Sequence, residues 1–240
     1  MNEVVTPTQI VIKCLGYNLY ADWYEGSKSE VMLVLIGKSS SKARAQERVN
    51  YITGKTKMSA LVLDYSGHGL SPFVLDDVSP AQHFIEVVDA YDYIKARLPE
   101  SKVTVFGTSY GGFFGALLTN YRDVEKLVIR VPAIYPPDTF YSKDKNINSD
   151  SIRATYRTNP DNFISHPDFK SFTNYKKPVL VVIHGLDDVC PKPVTDAYVK
   201  AFSADSFDQH DFMHSESQVN PSKETVYEYL NKIVRWIQDN

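Results

Sequence analysis

Apolar residues along this chain fall into short runs and helical stripes that take turns. "TQIVIKCL" and "YNLYADWYE" alternate with period two around Gly16 and predict an opening hairpin. "EVMLVLIG", "SALVLDYSG", "KVTVFGTS", "KLVIRVPAI" and "PVLVVIHG" lack that alternation and predict strands buried on both faces. Helical patterns lie between them. A polar one runs from about Ala45 to Lys57. From Pro80 onward, Phe84, Val87, Val88, Tyr91, Ile94 and Leu98 recur at helical spacing, with Ser79 as N-cap and Pro99 as stop. "YGGFFGALLTNY" and a stretch from about Pro193 to Phe202 are further helices, and "FDQHDFM" holds a short strand. In the last helix Val226, Leu230, Ile233, Val234 and Ile237 share one face. Strands and helices in turn predict an α/β fold: a mostly parallel sheet of about eight strands with an antiparallel N-terminal hairpin, helices on both faces, and ligands at the carboxyl ends of the strands.

Between Tyr135 and Lys177 the rhythm breaks into Asn-, Asp-, Ser- and Pro-rich sequence with one short helix near Asp150 to Arg157. This reads as an insertion, residues 135–177, that caps a single domain spanning 1–240. Its seven aromatic residues from Phe140 to Tyr175 either roof a site or anchor the insertion onto the sheet; the pattern fits both.

A net charge of -3 gives no electrostatic reason to expect nucleic acid as partner. No segment approaches the eighteen or so apolar residues of a membrane span, and "MNEVVTPTQIVIK" lacks a basic region followed by a long apolar core, so the expectation is a cytoplasmic protein. Cys14 and Cys190 match no zinc or redox spacing and read as packed thiols. "IGKSS" would be a phosphate loop only with a glycine five positions before Gly37, and Met32 stands there.

The candidate chemistry starts at "GTSYGG". A Gly-x-Ser-x-Gly between strand and helix puts the serine, Ser109, on a sharp turn at the top of a sheet, where the following helix directs N–H groups at developing negative charge. Such a serine needs a base, and the base needs a carboxylate that orients it. Asp187 and Asp188 leave a buried strand in "VVIHGLDDVCP", and His210 and His214 lie in "QHDFMHSES" before the last helix.

These features resemble the α/β-hydrolase superfamily, and within it the small-capped esterase, monoacylglycerol lipase and serine aminopeptidase type. "LVLDYSGHGLS" is similar to the superfamily's strand and Asp-x-x-Gly-His-Gly-x-Ser turn, "VLIGKS" matches the place of its oxyanion loop, and "HGLDDVCP" that of its Gly-x-x-Asp acid loop. The resemblance implies Ser109 as nucleophile, with His214 favoured over His210 as base because of its spacing to Pro221. Counting from Gly185 selects Asp188 as the acid, whereas counting back from Pro191 selects Asp187; Asp188 is preferred. The oxyanion donors would be the N–H groups of Tyr110 and Lys38, although Ile36 stands where the family often has histidine. Lys38 could also attract an anionic substrate, but a solvated lysine is the favoured reading. The remaining histidines read as a turn residue (His68), a strand-end residue (His184), and surface or local contacts (His83, His166).

The implied activity is hydrolysis of a small-molecule ester of short to medium acyl length through an acyl-enzyme, with no metal or organic cofactor. Thioester, amide and monoacylglycerol cleavage, acyl transfer, and a non-catalytic ligand-binding relative stay open, as does the oligomeric state. A neutral imidazole base implies activity that falls below about pH 6 to 6.5.

Overall fold

A computed structural model describes residues 6–215 and 221–240. The opening hairpin forms from β1 (Thr8–Cys14) and β2 (Tyr17–Tyr24), which turn at Leu15 and Gly16, both at positive φ. Their alternating burial follows from covering on one face only. β3 (Ser27–Leu35), β4 (Met58–Leu63), β5 (Lys102–Thr108), β6 (Val124–Arg130) and β7 (Val179–His184) follow, and β8 (Asp205–Gln209) closes the sheet. The eight strands lie in the order β1-β2-β4-β3-β5-β6-β7-β8. Pairs involving β2 are antiparallel and the rest are parallel.

Every residue of β4 and β7 is buried, because helices cover the parallel strands on both faces. These helices are α1 (Lys42–Thr56), α2 (Pro80–Arg97), α3 (Tyr110–Leu118), α4 (Lys192–Phe202) and α5 (Lys223–Asp239). Ser79 caps α2 by accepting the Gln82 N–H at 3.2 Å, ahead of Pro80 at the first position. β6 is shorter than its apolar run, since Val131 at φ 42° turns the chain out of the sheet. Among the described residues no helix is long and apolar enough to cross a membrane.

The topology places the site. From β3 the chain moves to β4 on one side, while β5 pairs on the other side. The two connections diverge there, which opens a crevice at the carboxyl ends of β3 and β5. The stretch 135–177 borders this crevice. Its aromatic residues anchor it: Phe172 stacks on Phe202 of α4 at 4.8 Å, Phe169 meets Tyr198 edge-on at 4.8 Å, and the Tyr175 hydroxyl donates to Val124 O.

Candidate active site

Ser109 sits between the end of β5 and the first residue of α3 at φ 53°, ψ -111°, a conformation that a side-chain-bearing residue adopts only under constraint. The surroundings supply the constraint. Ser109 N–H donates to Arg130 O at 2.9 Å, and its carbonyl accepts from Ala133 N–H at 3.0 Å. Close packing forces glycine on both sides: a Cβ at Gly107 would lie 2.4 Å from Gly111 O, and one at Gly111 would lie 2.2 Å from Leu35 O. The β3 end and the α3 start therefore touch backbone to backbone, beside the loop 36–40.

His214 approaches from the loop after β8. Its Nε2 lies 2.9 Å from Ser109 Oγ, and its Nδ1 lies 2.8 Å from Asp187 Oδ2. An ionised carboxylate only accepts, so Nδ1 carries the proton and donates to Asp187, which leaves Nε2 to accept from the serine hydroxyl. His210 is elsewhere, with its side chain 84% exposed beside Asp208.

The carboxylate that meets His214 is that of Asp187, and not that of Asp188, which the sequence reading prefers. Asp187 is buried, and its Oδ1 accepts the N–H groups of Val189 (2.8 Å) and Cys190 (2.7 Å), which aims Oδ2 at His214. Asp188 is exposed to solvent. The loop is a residue shorter than the Gly-x-x-Asp count assumes, and a carboxylate folded back onto its own N–H groups at two and three positions onward fixes the register.

Burial opposes a charged imidazole at His214, but the hydrogen bond to Asp187 and the nearby Cys190 sulfur outweigh it and push the pKa up to about 9. At that value a neutral His214 is depleted below about pH 9, whereas an ordinary imidazole would be depleted below about pH 6 to 6.5. Ligand atoms of Asp187, Cys190 and His214 lie within 4.8 Å of one another and are of types that zinc accepts. Arg157 Nη1 reaches the sulfur at 3.7 Å, and its positive charge opposes a cation at that point.

Two histidines that the sequence pattern left as a turn residue and a local contact hold the wall of the site. His68 Nε2 accepts the Ser39 N–H at 3.1 Å and so fixes the loop 36–40, while its Nδ1 lies 3.1 Å from Ser66 O. His83 Nδ1 meets the Tyr110 hydroxyl at 2.8 Å, and its Nε2 meets Ser66 O at 2.9 Å. Burial lowers the pKa of both, that of His83 to about 3, so each is neutral and one ring nitrogen accepts. The sequence signal for them was only the Gly-His-Gly turn and a histidine on the apolar face of α2.

Tyr110 opens α3, where a backbone N–H has no acceptor in a preceding turn, and Lys38 follows Gly37 on the β3 loop. Lys38 is not a solvated lysine: its Nζ pairs with Asp144 at 2.5 Å and reaches Ser149 Oγ at 3.3 Å, joining the loop 36–40 to the stretch 135–177. Ser109, His214, Lys38 and Tyr135 line one cavity of about 980 Å³. Among the described lining residues on that side are Tyr135, Ser149, Arg153, Val189 and Arg157 and none of the seven aromatic residues from Phe140 to Tyr175, of which Phe163, Phe169 and Phe172 are buried in the anchor. The arrangement offers a hydroxyl with a base and an orienting carboxylate, at a helix N-terminus, in an open cavity.

A mixed, mostly parallel sheet of eight strands with a serine on the strand-to-helix turn after β5 is the α/β-hydrolase fold. The chain is similar to the esterase Pf2001 of Pyrococcus furiosus, with TM-score 0.71 and 16% identity over 98% of this chain and 93% of that one. It is likewise similar to Est1E of Butyrivibrio proteoclasticus, solved with ferulic acid bound, at TM-score 0.73 and 18% identity over 95% and 99% of the two chains. An acylaminoacyl peptidase of Pyrococcus horikoshii matches at TM-score 0.73 and 13% identity, over 98% of this chain but 42% of the peptidase. No family model matches the sequence, and no curated protein matches it.

Proposed function

We propose that the protein is a serine hydrolase that cleaves an ester bond through an acyl-enzyme. The observation that carries this reading is the chain of hydrogen bonds from Ser109 Oγ to His214 Nε2 (2.9 Å) and from His214 Nδ1 to Asp187 Oδ2 (2.8 Å). Esterases among the structural neighbours support ester as the bond type.

In this mechanism Ser109 Oγ attacks the carbonyl carbon while its proton passes to His214 Nε2. Asp187 stabilises the imidazolium through Nδ1–H, and the N–H groups of Lys38 and Tyr110 take the oxyanion. His214 then gives the proton to the leaving alcohol as the acyl-enzyme forms. Water that loses its proton to His214 releases the acid and restores the hydroxyl. Residues 135–177 act as a small cap whose Asp144 and Ser149 hold the Lys38 loop in place.

The test is turnover of ethyl and p-nitrophenyl esters of increasing chain length by wild type and Ser109→Ala. Turnover with an acyl burst in wild type, and a drop of about 10⁶ in the variant, is expected from precedent in a serine protease. A well-folded wild type that hydrolyses no ester overturns the reading.

A further inference from the structure

The cavity beside Ser109 has an unusual charge. Among its described lining residues six are cationic, Lys38, Arg44, Arg48, Arg130, Arg153 and Arg157, and none is an aspartate or glutamate. The chain as a whole carries more acidic than basic residues, and five of its eight arginines line this one cavity, leaving out only Arg97, Arg122 and Arg235. They come from three directions. Arg44 and Arg48 are one turn apart on α1, Arg130 ends β6, and Arg153 and Arg157 are one turn apart in a wide helical turn of the insertion, where Arg157 N–H donates to Ile152 O. Turns of that width recur at functional sites.

Among the described residues carboxylates meet two of these cations. Lys38 pairs with Asp144, and Arg153 with Asp150. Arg157 is 4% exposed, yet its partners are Ile134 O, Val189 O, the Cys190 sulfur and the face of the Tyr135 ring. Among the described residues neither Arg157 nor Arg44 has a carboxylate partner. A buried guanidinium without a carboxylate partner is costly until an anion reaches it. A cleft of one sign with low-dielectric walls concentrates ligands of the other sign.

We infer that the natural substrate is an ester that also carries a carboxylate, and that these arginines dock the carboxylate while the ester carbonyl lies at Ser109. This rests on the hydrolase reading and names its substrate class. Guanidinium groups from α1 and the insertion face one cavity and match a carboxylate in bidentate fashion. Lysine, as a strongly hydrated point charge, would select less.

The test pairs substrates that differ only in the anion: ethyl hydrogen adipate against ethyl hexanoate, and 3-carboxyphenyl butyrate against phenyl butyrate, followed by pH-stat with the full chain. In at least one pair the anionic ester is expected to have a kcat/KM about tenfold higher or more, with the preference shrinking from about 20 to about 500 mM salt. The Arg44→Gln/Arg48→Gln variant, altered on exposed and half-exposed helix positions, should narrow the ratio to within about threefold, and a circular-dichroism melt should show it folded. Hydrolysis of the neutral esters with no anionic preference in either pair overturns this inference and leaves the hydrolase reading standing. A second readout needs no turnover: Ser109→Ala titrated calorimetrically with ethyl hydrogen adipate and with ethyl hexanoate. Salt-sensitive binding of the anionic ester alone supports the inference; equal binding of both, or binding of neither, overturns it.

Discussion

Replacing Asp187 with asparagine removes the carboxylate that orients His214 and keeps nearly the same shape. Asparagine Oδ1 can still accept the N–H groups of Val189 and Cys190, now held at 2.8 and 2.7 Å, so the loop persists. Its amide then presents N–H to His214 Nδ1, which drives the ring into the tautomer whose Nε2 carries the proton. That nitrogen can no longer accept from Ser109. The same change in a serine protease drops kcat by about 10⁴. The pH profile should move as well. The rise of the His214 pKa from 6.5 to about 9 corresponds to about 3 kcal/mol in favour of imidazolium, at 1.36 kcal/mol per pH unit. Burial pulls the other way and Cys190 remains, so the variant should lose the part of this preference that Asp187 supplies. Since the base acts when neutral, activity in wild type rises with pH through about 9, and in Asp187→Asn the weakened activity should rise at a lower pH than in wild type, by the part of the shift that Asp187 and not Cys190 supplies. Stability follows the opposite sign. A folded pKa above the unfolded value adds stability below about pH 6.5 that is lost as pH rises through about 9. The assay is kcat/KM against pH for Asp187→Asn and Asp188→Asn. Asp188→Asn should stay within about twofold of wild type, because a surface carboxylate outside hydrogen-bond reach contributes little. An equal collapse of Asp188→Asn, or an Asp187→Asn profile still centred near the wild-type value, would refute the assignment.

Other consequences are as direct. Phe172→Ala empties a fully buried ring that stacks on Phe202, and should cost about 3–5 kcal/mol, or a fall in Tm of roughly 6–20 °C by calorimetry. Gly111→Ala puts a methyl 2.2 Å from Leu35 O; turnover should fall by about 10² or more as the loop 36–40, proposed to hold the oxyanion, is displaced, and wild-type kcat would contradict that packing. His68→Phe leaves Ser39 N–H without its acceptor, so kcat should drop about tenfold or more while KM changes little. A kcat equal to wild type would mean that the loop holds itself.

Strand and helix alternation was legible because parallel strands covered on both faces cannot hide their apolar runs, and α2 declares itself through Ser79, Pro80 and a clean stripe. What escaped the sequence depended on contacts distant along the chain. Asp187 and Asp188 are neighbours, and the contact of one carboxylate with His214, 27 residues onward, distinguishes them. The role of His68 depends on Ser39, 29 residues away. Arg44 and Arg48 lie in a polar helical stretch that is indistinguishable from a solvated face. They become one wall of a cationic cavity only when the insertion brings Arg153 and Arg157 opposite. The aromatic residues of 135–177 allowed roof or anchor, and burial against α4 decided for anchor.

The central claim is that Ser109 is the nucleophile, activated through His214. The most direct measurement is incubation of the folded protein with a fluorophosphonate, then intact mass and peptide mapping. One stoichiometric adduct is expected, mapped to Ser109, absent in Ser109→Ala and strongly slowed in His214→Ala. An adduct on another residue, or an unlabelled wild type with a native melting curve, would contradict it.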